Sequence, residues 1–186
     1  VLRNKKALVD AGFMEPMKSM NVIKNLPMGA SFTFPDGTVV RQEDAVEPKR
    51  PGRKVVICGD TCDASALAKL SLDADVIVHE ATNTFLAGID NKDASPEQVT
   101  IDAIVHGHST PQIAGEFCKR VNGRLLVLNH FSSRYKGDES LESLSIMMRI
   151  ENQAMAASEL NETQVVAAWD MMVLPVPIRK PWQLET

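Results

Sequence analysis

Asp60, His79, Glu80, His106, His108 and His130 are the side chains whose types and neighbourhoods could do chemistry together. They come from four short segments: "GDT" at 59–61, "HEAT" at 79–82, "HGHST" at 106–110 and "HFSSRY" at 130–135. Imidazole and carboxylate suit two tasks, ligation of a divalent ion such as Zn2+ and proton transfer near neutral pH. The pair His106/His108 could be half of a metal site, a proton station or a polar loop without chemistry. Taken singly, an Asp after a strand is more often a turn or cap residue, and a His at a strand end is more often a hydrogen-bonded structural group. Their combination leaves metal and acid–base readings open. Asp60 and His130 alone make two ligands, fewer than zinc requires, so either the site is not metallic or some ligands lie outside this sequence. Cys62 could add a soft ligand, although an inert, buried thiol is the preferred reading.

The elements that must position these groups are legible in the apolar pattern. "KVVIC" (54–58), "DVIVH" (75–79), "RLLVLNH" (124–130) and "QVVAA" (164–168) are short β-rich runs, the kind that suits strands covered on both faces. Helices are predicted over 64–72, 111–120 and 139–160, the second opened by Thr110 as cap and Pro111 in the first turn. Alternation of this kind predicts an α/β layered fold. Asp60, His79/Glu80 and His130 each follow a strand, so they should meet at one sheet edge, where loops build sites.

Upstream, "NKKALVDA" (4–11) reads as a short helix with Asn4 as cap and Gly12 as stop, followed by irregular Met-rich sequence to about Gly29. "SFTFPDGTVV" reads as a hairpin turning at Asp36-Gly37. Residues 41–53, with Pro48, Pro51 and Gly52, are the best linker candidate. The boundary is drawn between 1–45 and 46–186.

With 186 residues and 44% hydrophobic composition, the chain can bury a core. A net charge of −4 gives no general case for nucleic-acid binding. The balance is uneven: residues 1–60 carry ten Lys/Arg against seven Asp/Glu, the remainder ten against seventeen, which suggests a local contact surface. Three cysteines in no disulfide or zinc-finger spacing fit a reducing compartment. No apolar run reaches the roughly 18–20 residues of a membrane span.

The four motifs in this order resemble tRNase Z in its short form, the zinc phosphodiesterase of the metallo-β-lactamase superfamily that trims the 3′ trailer from precursor tRNA. The resemblance runs from about Arg53 to at least Tyr135. It implies that Asp60 is the carboxylate bridging two Zn2+ ions and that His130 is a terminal metal ligand. It implies that His108 is a proton donor near the scissile phosphate and that Glu80 orients it. His79 and His106 match motif neighbourhoods without clear ligand roles, and a structural reading is preferred for both. Precursor tRNA as partner and a homodimer of the complete enzyme are implied as well; the resemblance fixes no compartment, cytoplasm or nucleus being favoured over an organelle.

The sequence departs from the family in two places. The signature H-x-H-x-D-H, which supplies most zinc ligands, is absent from these 186 residues, since Ser109-Thr110-Pro111 follow the His106/His108 pair. The expectation is therefore the C-terminal half of a metallo-β-lactamase-type αββα sandwich, inactive alone and completed by an N-terminal half. Residues 1–45 occupy the place of the family's tRNA-gripping arm, whose Gly-Pro-rich tip survives loosely around Gly12 and Pro16. The rival readings are another metallo-β-lactamase-like hydrolase of small esters, an amidohydrolase, which 186 residues are too few to build, and a half-domain that binds only RNA or a partner chain.

Overall fold

The computed structural model describes residues 9–10, 18–45 and 52–178. The chain divides into two compact units, Val1–Pro51 and Gly52–Thr186.

In the first unit, helix α1 (Lys18–Lys24) precedes an antiparallel hairpin of β1 (Ser31–Thr33) and β2 (Val39–Arg41). The turn falls at Asp36-Gly37, where Gly37 adopts φ 82° and the Asp36 carboxylate accepts the Thr38 N–H at 2.9 Å. Ile23 and Phe34 are buried here, with Phe32 set edge-on to Phe34 at 5.1 Å between ring centroids. Two expectations are corrected. Residues 18–24, read as irregular, are helical, because Ile23 has an apolar partner in the hairpin. Part of the linker candidate is ordered as the single helical turn α2 (Gln42–Ala45). Of the helix expected over 4–11, Val9 and Asp10 are described and are helical; Gly12 and Pro16 lie outside the described residues.

The second unit is α/β, as the strand–helix alternation predicts. Four parallel strands stand in the order β3 (Val55–Ile57), β4 (Val76–Glu80), β5 (Leu126–Asn129), β6 (Val165–Ala167). A 3-10 turn (Ser65–Leu67) and α3 (Ala68–Ser71) link β3 to β4; α4 (Pro96–Val105) and α5 (Pro111–Arg120) lie between β4 and β5; α6 (Leu141–Ser158) precedes β6. Helix α4 was not expected from the sequence. Ser95 caps it by accepting the Gln98 N–H, and Pro96 occupies its first turn.

Period-two alternation gives the sheet two distinct faces. Ile77, Leu126, Leu128 and Val165 join the core beneath α5 and α6, with Ala114, Phe117, Ile150 and Ala154. The intervening positions, Val55, Ile57, Val76, Val78, Val127 and Val166, form a second face that is also aliphatic and lies outside that core. On its β3 margin Val55 and Ile57 are 53% and 69% exposed. Helices α5 and α6 meet closely at Gly115, where a Cβ would stand 2.5 Å from the Ala154 carbonyl oxygen and 2.8 Å from the Ala157 Cβ. Among the described residues, no helix is long and apolar enough to cross a membrane.

Candidate active site

Parallel strands place their C-terminal ends on one edge, and the loops there carry the predicted residues. Asp60 lies three residues beyond β3, Glu80 ends β4, and His130 directly follows β5. His108 reaches the same place from the α4–α5 link. Gly107, at φ 80°, closes α4: its N–H bonds to the Ile104 carbonyl and the His108 N–H to the Ala103 carbonyl, both at 2.9 Å. This paired closure satisfies the last carbonyls of the helix. Two residues later Thr110 caps α5 by accepting the Ile113 N–H, with Pro111 in the first turn. His108 and Ser109 are thus held between two helix termini.

Glu80 is the buried centre of the site, its side chain 1% exposed. One carboxylate oxygen accepts the Thr61 N–H at 2.7 Å and lies 3.1 Å from the His108 Nδ1. The other accepts the Thr82 hydroxyl at 2.6 Å and the Ser109 N–H at 2.9 Å. Burial pushes this carboxyl up. The bonds from Ser109, Thr82, His108 and Thr61 outweigh burial and hold it below its ordinary value. The group is therefore an ionised carboxylate with its acceptor positions filled. The Ser109 hydroxyl donates to the Thr61 carbonyl at 2.6 Å, fastening the GDT and HST loops together around it.

His108 and His130 face one another with ring centroids 5.2 Å apart. Glu80, His108 and His130 are, among the described residues, the set whose ligand-capable atoms lie within 4.8 Å of one another. Proximity alone does not make Glu80 a ligand, because its oxygens are already committed to four donors. The pair whose chemistry fits a divalent ion is His130 with Asp60. The His130 Nε2 lies 3.4 Å from the Asp60 Oδ2, and both side chains are well exposed. An imidazole nitrogen and a carboxylate oxygen converging at an open loop are donor types that suit a divalent ion.

His130 itself has φ 55°, a left-handed backbone that costs a non-glycine residue free energy and is kept only where the surroundings enforce it. The surroundings here are the rest of its motif. The Ser132 N–H donates to the Thr82 carbonyl at 2.8 Å. The Tyr135 hydroxyl donates to Asn83 Oδ1 and accepts the Thr84 N–H, both at 3.1 Å. Arg134 bonds Asp90 and the Thr84 carbonyl and lies over the Tyr135 ring at 4.8 Å.

The remaining candidates stand apart from this cluster. His79 points to the opposite face of β4, fully buried against Phe117 at 5.7 Å. Its Nδ1–H donates to the Glu80 carbonyl at 2.9 Å, and its Nε2 is buried without a partner among the described residues. His106 caps α4, its ring nitrogen 2.6 Å from the Asp102 carbonyl. Cys62 is half-buried and joins no metal-capable group among the described residues. Burial pushes the Cys58 thiol to about 11 and the Cys118 thiol to about 12, so both are protonated packing groups. Sequence reasoning missed Thr82, Thr61 and Ser109. The available signal for Thr82 was its place two residues after Glu80, on the same side of the chain.

No protein-family model matches the chain. It is 33% identical over 179 residues to zinc phosphodiesterase ELAC protein 1 of Bos taurus, which covers 95% of this chain and 45% of the relative. The Homo sapiens protein of that name is 34% identical over 179 residues, with the same shares. Ribonuclease Z of Bacillus subtilis is 34% identical over 154 residues, covering 80% of this chain and 46% of the relative. The crystal structure of human tRNase Z, short form, aligns at 29% identity and a TM-score of 0.44, over 75% of this chain and 36% of that one. The chain is homologous to these enzymes over most of its own length, and it spans about half the length of the curated relatives it matches.

Proposed function

We propose that this chain carries the C-terminal half of the active site of a tRNA 3′-end-processing endoribonuclease, a zinc-dependent phosphodiesterase that removes the trailer from precursor tRNA. The observation that carries the reading is the buried Glu80 carboxylate, which gathers the GDT, HEAT and HST segments into one site beside His108 and His130. Homology to ribonuclease Z over most of the chain supports it.

Asp60 and His130 would hold zinc, as two ligands of a two-ion site, the others coming from a segment bearing H-x-H-x-D-H. Zinc, when bound, supplies Lewis acidity toward the phosphoryl oxygens and acidifies water toward neutrality. The protein's own work is proton delivery. His108, charged, holds a proton at Nε2 for the departing 3′ oxygen of the tRNA, and returns to its neutral form with Nδ1–H still bonded to Glu80. The ionised Glu80 stabilises the charged imidazole and fixes its direction, as an orienting carboxylate does in acid–base catalysis.

The second aliphatic sheet face favours the half-sandwich reading. Val55 and Ile57 are its exposed members, and burying an aliphatic side chain contributes about 1.5–3 kcal/mol, so a complementary layer over this margin would be favoured. Homodimerisation of the completed enzyme and a tRNA-gripping role for residues 1–45 belong to the same proposal. The test is trailer cleavage and zinc content, measured for the 186-residue chain alone and for a version joined to an H-x-H-x-D-H-bearing half. Expected are weak zinc and no cleavage for the first, and both restored in the second. Tight, stoichiometric zinc with full activity in the 186-residue chain overturns the half-site reading.

A further inference from the structure

We infer that Thr82 is a positioning residue whose hydroxyl, together with Glu80, sets the tautomer of His130 so that its Nε2 lone pair faces Asp60. The inference rests on the metal-ligand role proposed above for His130. Its decisive measurement needs neither metal nor RNA.

Donors and acceptors around one oxygen decide the tautomer. Thr82 Oγ1 lies 2.6 Å from Glu80 Oε2, 2.8 Å from the His130 carbonyl oxygen and 2.8 Å from His130 Nδ1. It is also 3.5 Å from His108 Nδ1. A hydroxyl has one hydrogen to give and two lone pairs to offer. Glu80 Oε2 and the His130 carbonyl can only accept, so they compete for that hydrogen. The carboxylate is nearer and ionised, and a charge-assisted bond is roughly twice as strong as a neutral one. The hydrogen therefore goes to Glu80. With it spent, Oγ1 faces both His130 atoms at 2.8 Å; the carbonyl has no hydrogen to offer, whereas His130 turns the Nδ1 contact into a bond by carrying its proton there and donating to Oγ1.

That assignment leaves His130 Nε2 bare, and Nε2 is the atom 3.4 Å from Asp60 Oδ2. Two acceptors facing each other across an open gap are the arrangement that a cation resolves. The same carboxylate governs the second histidine directly, since Glu80 Oε1 lies 3.1 Å from His108 Nδ1. One buried carboxylate thus fixes both imidazoles, one through a hydroxyl and one without an intermediary. Metal-binding histidines generally need such a partner on their other nitrogen; here the partner is a threonine that passes the demand on to a glutamate.

The test uses 15N-histidine-labelled protein freed of metal by chelation, with long-range 1H–15N correlations showing which ring nitrogen of each neutral histidine carries the proton. Expected in the unmodified protein is Nδ1–H at both His108 and His130. Thr82→Val keeps the shape and removes the hydroxyl; His130 should revert to the tautomer mixture of a solvated imidazole while His108 keeps Nδ1–H, which also certifies the fold. Thr82→Ser should restore His130. In the protein completed with its metal ligands, zinc affinity should fall about 10–100-fold in Thr82→Val and recover in Thr82→Ser. A protein with Nε2–H at His130, or Thr82→Val with the His130 tautomer unchanged, overturns the inference. Correct tautomers with zinc affinity untouched by Thr82→Val would instead remove His130 from the ligand set.

Discussion

His108 Nδ1 lies 3.1 Å from Oε1 of Glu80, whereas His130 Nε2 looks across 3.4 Å to Asp60. The two histidines therefore face different chemistry although their rings are neighbours. In a version joined to an H-x-H-x-D-H-bearing half, His130→Ala should lower zinc content and cleavage rate together. His108→Ala should keep its zinc and lose about 10²–10⁴ in rate, the usual worth of a general acid. Metal analysis beside single-turnover cleavage separates them; zinc loss in His108→Ala equal to that in His130→Ala would make both residues ligands.

Glu80→Gln tests the buried carboxylate. An amide offers one acceptor oxygen where the carboxylate has two, and its NH2 group would face N–H or O–H donors. Leaving such buried groups unsatisfied costs about 1–3 kcal/mol, so urea denaturation should shift to lower concentration. The rate should fall less than in His108→Ala, because in the proposed mechanism Glu80 orients the proton donor and transfers nothing itself.

Acid should destabilise the protein in two stages. Burial, partly offset by the Glu80 carbonyl and charge, depresses the His79 imidazole below its ordinary 6.5. The unfolded chain then binds the proton more readily than the folded one, so stability complete above pH 6.5 declines as pH falls below it. Glu80, held below its ordinary 4.5, is favoured when ionised, so its contribution is complete above pH 4.5 and is lost below. Denaturation midpoints across the pH range measure both limbs, and His79→Gln should remove the His79 contribution to the upper one while leaving the Glu80 contribution in place.

Gly115→Ala should be among the most destabilising single-methyl additions in this chain. The new Cβ would meet the backbone of Ala154 at 2.5 Å and of Ser158 at 3.1 Å, so α6 must move away from α5. Overpacking of this kind typically costs 1–3 kcal/mol or more, readable as a lower melting temperature with the secondary structure retained.

Much of this arrangement was legible in the chain. Thr110-Pro111 marks the start of α5, which spans Pro111–Arg120 as read, and the four apolar runs mark the parallel strands within a residue or two. Helix α4 was hidden because Ile101, Ile104 and Val105 are exposed and Ala103 is its buried residue; an apolar pattern that does not report burial cannot report the helix. The Ser95-Pro96 start was the better signal. Missing α4 also hid the reason for Gly107, which closes that helix and aims His108. Thr82 escaped notice because a hydroxyl gains its role only from the three acceptor or donor atoms folded around it, two of them from a segment 48 residues away.

The alternation of β4 has one more consequence, for how the chain checks its own assembly. His79 and Glu80 are adjacent, yet one belongs under α5 and the other at the edge that gathers the GDT, HEAT and HST segments. Were β4 to pair with β5 one residue out of step, every side chain on it would change faces. A carboxylate would then lie against Phe117 with no N–H to receive it, and the Thr61 and Ser109 amides would meet the wrong side chain. The polar pair thus acts as a proofreader of strand alignment, penalising a slip that the valines and isoleucine of β4 would tolerate almost equally in either direction. A single-residue insertion inside 76–80 should be lethal to folding, whereas the loop at 91–94, which supplies none of the hydrogen bonds to Glu80 or His79, should accept one.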